Sequence, residues 1–146
     1  MSNLVIGHGT AGNASKTSKD DVGTVDLAGV SQTINSLIGY PNSGAVPTAS
    51  DSRKITNSSD GAATLTVGIS NGTGSFDGVI ENGPGGSISL TKVGTGTLTL
   101  TGNRDNTYTG ATAVANGTLY LNKTNGYTAV SGDIVIAGGT SITGTL

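Results

Sequence analysis

Asp77 and Glu81 stand four residues apart in a chain with nine acidic residues and a single histidine. On a regular strand that spacing sets both carboxylates on one side, the pairing that glycoside hydrolysis uses as acid and base. Asp20 and Asp21 are the other close pair, while Asp26, Asp51, Asp60, Asp105 and Asp133 are scattered. More often such a pair simply solvates a turn rim, so no catalytic residue is assigned. His8 lies between Gly7 and Gly9, and cysteine is absent, which removes His-based metal clusters, His dyads and thiolate chemistry. GTGSFD at 72–77 does not have the glycine spacing of the repeated GGxGxDxUx calcium motif. GPGG at 83–86 lacks the Gly-Lys-Ser/Thr and following helix of a phosphate loop. The expectation is a non-enzymatic protein with no metal site and no cofactor.

The elements that would position any such groups are strands. Apolar and polar residues alternate with period two at 64–67 (TLTV), 88–90 (ISL), 97–100 (TLTL), 119–121 (LYL) and 134–136 (IVI). Leu65, Val67, Ile88, Leu90, Leu98, Leu100, Leu119, Leu121, Ile134 and Ile136 are assigned to the inward face, with Thr66, Ser89, Thr99 and Tyr120 outward. Val135 breaks this pattern by placing an apolar side chain outward. Earlier strands are expected at 4–6, 23–27, 32–38 and 53–56. Turns needing positive φ are expected at Asn71-Gly72, 82–86, 103–106, Asn116-Gly117 and Asn125-Gly126.

The 146 residues include 25 glycines, 34% hydrophobic, 3% aromatic and 11% charged residues, thin material for a single central core. A formal net charge of -2 and repeated Val, Ile, Leu and Thr alternation argue against disorder. GTLTLTG at 96–102 returns about twenty residues later as GTLYLNK at 117–123. An antiparallel hairpin through TAVANGTLYL competes with a stacked coil. The coil is favoured because the whole Leu-x-Leu unit recurs at a spacing too long for a simple meander.

Residues 74–121 carry Phe76-x-Gly78-x-Ile80, LTKVGTGTLTLTG at 90–102, NTYTG at 106–110 and NGTLYL at 116–121. Together these resemble the autotransporter-associated β-strand repeat of bacterial surface passengers. The resemblance reaches most of the chain and is weakest at 1–21 and 40–53. It implies an all-β, right-handed single-stranded parallel β-helix, a solenoid displayed outside the cell as a stalk, adhesin or fibre, with no catalytic residues to carry over. At about twenty residues per coil the chain would make about six or seven coils in one domain, 1–146. Arg104 and Asp105 depart from the usual tight turn and are expected to push a small charged loop outward. Side-chain hydrogen bonds from Asn ladders at the turns are expected to join the coils.

Function follows from the surface and the ends. Lys16, Lys19, Arg53, Lys54, Lys92, Arg104 and Lys123 form no stripe for a phosphate backbone, so nucleic acid is not an expected partner. No apolar window approaches a membrane span, and MSNLVIGHGT has no secretory pattern. The length leaves no room for a translocator barrel, so self-export is not expected. LVIGHGTAGN at 4–13 echoes IVIAGGTSITG at 134–144, suggesting a module boundary near 134. Uncapped ends around Leu4 to Ile6 and Ile134 to Ile136 would invite head-to-tail association into filaments. The alternative is adhesion to a surface glycan through exposed Thr, Asn and Tyr108 or Tyr120. Thr95, Thr97, Thr99 and Thr101, with Thr64 and Thr66 as a second rung, raise ice binding as a lesser alternative.

Overall fold

The computed structural model describes residues 4–6, 23–39, 53–137 and 141–144. His8, Asp20, Asp21 and Asp51 lie outside them. All described regular structure is strand, and every strand pair is parallel. The chain winds as a coil with three faces. The first face stacks β1 (Leu4–Ile6), β4 (Leu37–Gly39), β7 (Gly74–Phe76), β10 (Thr97–Gly102), β12 (Thr118–Lys123) and β14 (Ser141–Gly144). The second holds β2 (Gly23–Asp26), β5 (Arg53–Thr56) and β8 (Val79–Ile80), continued where the Thr107 N–H donates to Ile80 O at 2.9 Å. The third stacks β3 (Gln32–Ile34), β6 (Gly61–Val67), β9 (Gly86–Lys92), β11 (Thr112–Val114) and β13 (Ile134–Ile136).

Period-two alternation makes this a solenoid rather than a sandwich. Each strand buries alternate residues, and the register places like beside like in the next coil. Phe76, Leu100 and Leu121 form one rank, and Leu98 with Leu119 forms another. Leu65 and Leu90 continue the pattern on the third face. All of these are at most 2% exposed, as are Ile55, Ile80 and Ile88. The inward assignments at 65–121 are borne out. Ile136 shares this facing, in register over buried Val114, yet is 52% exposed because no described strand stacks on β13.

Among the described residues four full turns separate the five rungs of the third face, somewhat fewer than the six or seven coils expected. Gln32 pairs with Leu65, Leu65 with Leu90, Leu90 with Thr112 and Thr112 with Ile134. The steps shrink from thirty-three residues to twenty-five and then to twenty-two. Only the later coils match the twenty-residue echo. The strand expected at 32–38 is two strands, since the chain turns a corner at Asn35 and Ser36 from the third face to the first. The hairpin alternative is excluded: β11 and β12 lie on different faces and Asn116-Gly117 turns the corner between them. The two ends of the long echo also fall on different faces, β1 on the first and β13 on the third, so they are not equivalent rungs.

Positive φ occurs at Asn71 (62°), Gly117 (75°) and Gly126 (91°), but at no residue in 82–86 or 103–106. At Gly83 the demand is space: a Cβ there would lie 1.9 Å from Asn57 O of the preceding coil.

Leu100→Ala removes one member of a packed rank and is expected to cost about 2–5 kcal/mol. Thr99→Ala, on the outward side of the same strand, should stay within about 0.5 kcal/mol. Guanidinium unfolding of both variants checks the facing; equal losses would contradict it.

Candidate functional site

Corners carry most of the polar chemistry. Where strand pairing stops, a side-chain oxygen of one coil accepts a backbone N–H of the next. Asn35 Oδ1 accepts from Ser70 (3.1 Å), Asn71 Oδ1 from Thr95 (2.9 Å), Asn82 Oδ1 from Thr109 (3.2 Å) and Asp105 Oδ1 from Thr128 (2.6 Å). Ser31 and Thr73 do the same with hydroxyl oxygens toward Thr64 and Thr97. Side-chain bonds thus join the coils as expected, though through backbone N–H groups. Asn106 is buried and works in both directions, accepting from Ile80 N–H at 3.0 Å and donating to Ala129 O at 2.8 Å.

Asp77 and Glu81 each take a cation from the preceding coil. Arg53 Nε donates to Asp77 Oδ1 at 2.9 Å and its Nη2 pairs with Oδ2, while Lys54 Nζ lies 2.9 Å from Glu81 Oε1. Arg53 is 3% exposed because Ile55, two residues on, faces inward. Adjacent Arg53 and Lys54 face opposite ways, so their two partners do as well. The shared side expected for Asp77 and Glu81 fails because β7 ends at Phe76 and a corner intervenes. The loop at 103–105 is likewise held against the coil, since Asp105 bonds Thr128 N–H of the next one.

Lys92 occupies an inward position in the rank Val67, Lys92, Val114. Its side chain is fully buried, and Nζ donates to the carbonyls of Val93 (2.6 Å), Gly94 (2.9 Å) and Asn116 (3.4 Å). The ammonium therefore caps carbonyls at the corner between the third and first faces. Burial pushes its pKa down. Sequence reading missed this residue, although alternation from Leu90 points it inward. Tyr108 was expected outside, but is fully buried, its hydroxyl 2.6 Å from Thr112 Oγ1. Burial pushes the phenol up to about 12, partly offset by the Thr112 bond.

Among the described residues two tyrosines are exposed, Tyr120 at 38% and Tyr127 at 42%. Both line one groove of about 330 Å³ on β12 and the turn after it, together with Asn122, Lys123, Asn125 and Thr128. Tyr120 projects outward between Thr99 and Thr143. Tyr127 sits on a turn closed by its N–H to Thr124 O at 3.0 Å. Lys123 Nζ reaches back to Gly78 O at 2.8 Å. Burial pushes its pKa down to about 8; Asp77 and Asp105 oppose that shift and Arg104 adds to it. Thr97, Thr99 and Thr101 lie on the first face, whereas Thr64 and Thr66 lie on the third, so they form no common array. Among the described residues no three His, Cys, Asp or Glu side chains gather as a metal site.

Residues 90–121 match the model of the passenger-associated-transport-repeat family. They run from inward Leu90 on β9 through β10 and β11 to Leu121 on β12, slightly more than one turn. The adhesin BmaC autotransporter of Brucella suis biovar 1 (strain 1330) is 40% identical over 83 residues, 55% of this chain and 2% of that relative. No solved structure matches. The chain carries an autotransporter passenger repeat.

Lys123 and Tyr108 give opposite pH dependences. Between about pH 8 and 10.5, folded Lys123 has released a proton that the unfolded chain keeps, so stability rises with pH. From about 10 to 12 the unfolded chain ionises its tyrosine before folded Tyr108 does, so stability falls. Urea midpoints should peak near about pH 10, with a smaller rise in Lys123→Met. A steady decline from neutral pH upward would contradict the assignment.

Proposed function

We propose that this chain is a non-enzymatic spacer segment of a bacterial surface passenger, whose β13–β14 edge is suited to stacking against a further coil in register. One observation carries the reading: the last described rung leaves Val135 58% and Ile136 52% exposed, although the residues beneath Ile136 in its rank are buried. Among the described residues no strand pairs with the outer edge of β13 or β14, and such an edge is a template for another strand. The passenger repeat and the autotransporter relative support a place outside the cell. A solenoid in which each coil contacts only its neighbours suits a spacer, because length is gained by adding coils. Isolated chains in solution would satisfy the same edge with β1 of a second copy, giving head-to-tail association that does not close.

Sedimentation across a concentration series tests this: the chain should form end-to-end assemblies, and Ile136→Asp should shift it toward monomer. A chain monomeric at every concentration would sink self-association.

The Tyr120/Tyr127 groove favours a second reading, adhesion to a surface glycan. Phe76 and Tyr108 are fully buried, so the two exposed aromatics of the described residues converge on one concavity with amides and hydroxyls. Aromatic faces against sugar C–H groups, flanked by hydrogen-bonding side chains, are suited to an uncharged saccharide. The relative named an adhesin is consistent with that role. On a glycan array the chain should retain a defined saccharide, and Tyr127→Ala should lower binding at least about tenfold, on the order of 1.4 kcal/mol. Binding unaffected by Tyr120→Ala and Tyr127→Ala would exclude the groove.

A further inference from the structure

Four Asn-Gly pairs turn corners or loops of this chain, and the fold treats them differently. Asn71 Oδ1 is held by Thr95 N–H at 2.9 Å. Asn82 is held at both ends, accepting from Ile88 and Thr109 N–H groups and donating from Nδ2 to Thr109 Oγ1 at 2.8 Å. Asn116 instead folds its side chain over its own peptide bond: Oδ1 accepts from Gly117 N–H at 2.8 Å. The nitrogen of the following residue is thereby placed beside the side-chain amide carbon. Gly117 has no side chain to shield that nitrogen, and Asn116 is exposed to water.

The Lys92 ammonium stands at the same corner. Its Nζ lies 3.4 Å from Asn116 O, and a Cβ on Gly117 would fall 2.9 Å from it. A fixed positive charge favours any step that builds negative charge on the neighbouring amide. Lys92 already spends its hydrogen bonds on backbone carbonyls, so its place does not depend on the Asn116 side chain.

We infer that Asn116-Gly117 is a self-modifying site, at which the corner geometry and the Lys92 charge convert Asn116 to aspartate or isoaspartate. Gly117 N gives up its proton to solvent and attacks Asn116 Cγ, forming an N–C bond and a tetrahedral oxyanion. Collapse expels Nδ2 as ammonia, with a proton taken from water, and leaves a succinimide. Water then opens either ring carbonyl. The net reaction consumes one water and releases one ammonia, so it needs no oxidant or cofactor.

The product places a carboxylate beside a buried ammonium that otherwise caps neutral carbonyls. Opening to isoaspartate also inserts a methylene into the main chain where Gly117, at φ 75°, has no spare room: a Cβ there would lie 2.3 Å from Gly94 O. Conversion thus adds one negative charge to the surface and loosens the corner between β11 and β12. Asn125-Gly126, on the exposed Tyr127 turn, is the internal reference for an Asn-Gly pair whose neighbouring cation is engaged elsewhere, since Lys123 Nζ donates to Gly78 O at 2.8 Å.

The test is peptide mass spectrometry of the folded 146-residue chain aged at neutral pH in heavy-oxygen water. Label should enter position 116 about tenfold faster than positions 71 and 82, and faster than position 125. In urea the four positions should converge. Asn116→Gln should abolish the signal at 116 and leave position 125 unchanged. Lys92→Met should slow position 116 selectively, and Lys92→Arg, which keeps the charge, should restore it; circular dichroism confirms that each variant is folded. Equal rates at 116, 71 and 82 in the folded chain would overturn the proposal, as would a lead at 116 that persists in urea.

Discussion

Stacking coils at strand spacing creates one recurring demand on which this structure depends. Strand pairing satisfies backbone groups along the three faces and is carried into some corners, as where Val93 N–H donates to Val67 O, but it lapses at others, and an amide left without a partner is costly. The corners answer with a side-chain oxygen that reaches the N–H of the next coil, as at Asn35, Asn71, Thr73, Asn82 and Asp105. This explains a composition rich in Asn, Thr and Ser and poor in long charged side chains. It also explains many glycines, since the carbonyl of one coil comes within bonding reach of the next and leaves no room for a Cβ at Gly83.

The core is a set of one-residue-wide ranks, and a polar residue in a rank must be satisfied locally because each coil meets only its neighbours. Thr112 interrupts the aliphatic line from Leu90 to Ile134 and bonds Tyr108. Lys92 interrupts the line from Val67 to Val114 and bonds three carbonyls. Arg53 pairs with Asp77 one coil away. These cations tie loops to faces, a task that short aliphatic ranks cannot perform. Lys123, which spans from β12 to Gly78, does so across two coils.

Such regularity also makes exceptions informative. The coils narrow from the first described turns to the last, and the Tyr120/Tyr127 groove follows β12, where the coil is narrow. At Asn116 the side chain bonds its own neighbour, where Asn71 and Asn82 bond the coil beyond.

Alternation and echo determined that the chain is a parallel coil with Leu65, Leu90, Leu98, Leu100, Leu119 and Leu121 inside, because a period of two in a strand fixes which side chains share a face. The same rule, carried two residues past Leu90 and two before Ile55, places Lys92 and Arg53 inward. Sequence could not reveal how many residues each coil spends on corners, since loop length costs little free energy and leaves no periodic trace. The tertiary structure therefore decided the number of turns, the split of 32–38 into two strands, the separation of Asp77 from Glu81 and the distribution of threonines over different faces. It also decided that Tyr108 is core while Tyr120 and Tyr127 share a groove. Each of these depends on which face follows a corner, and that is set by contacts with the coil above and below.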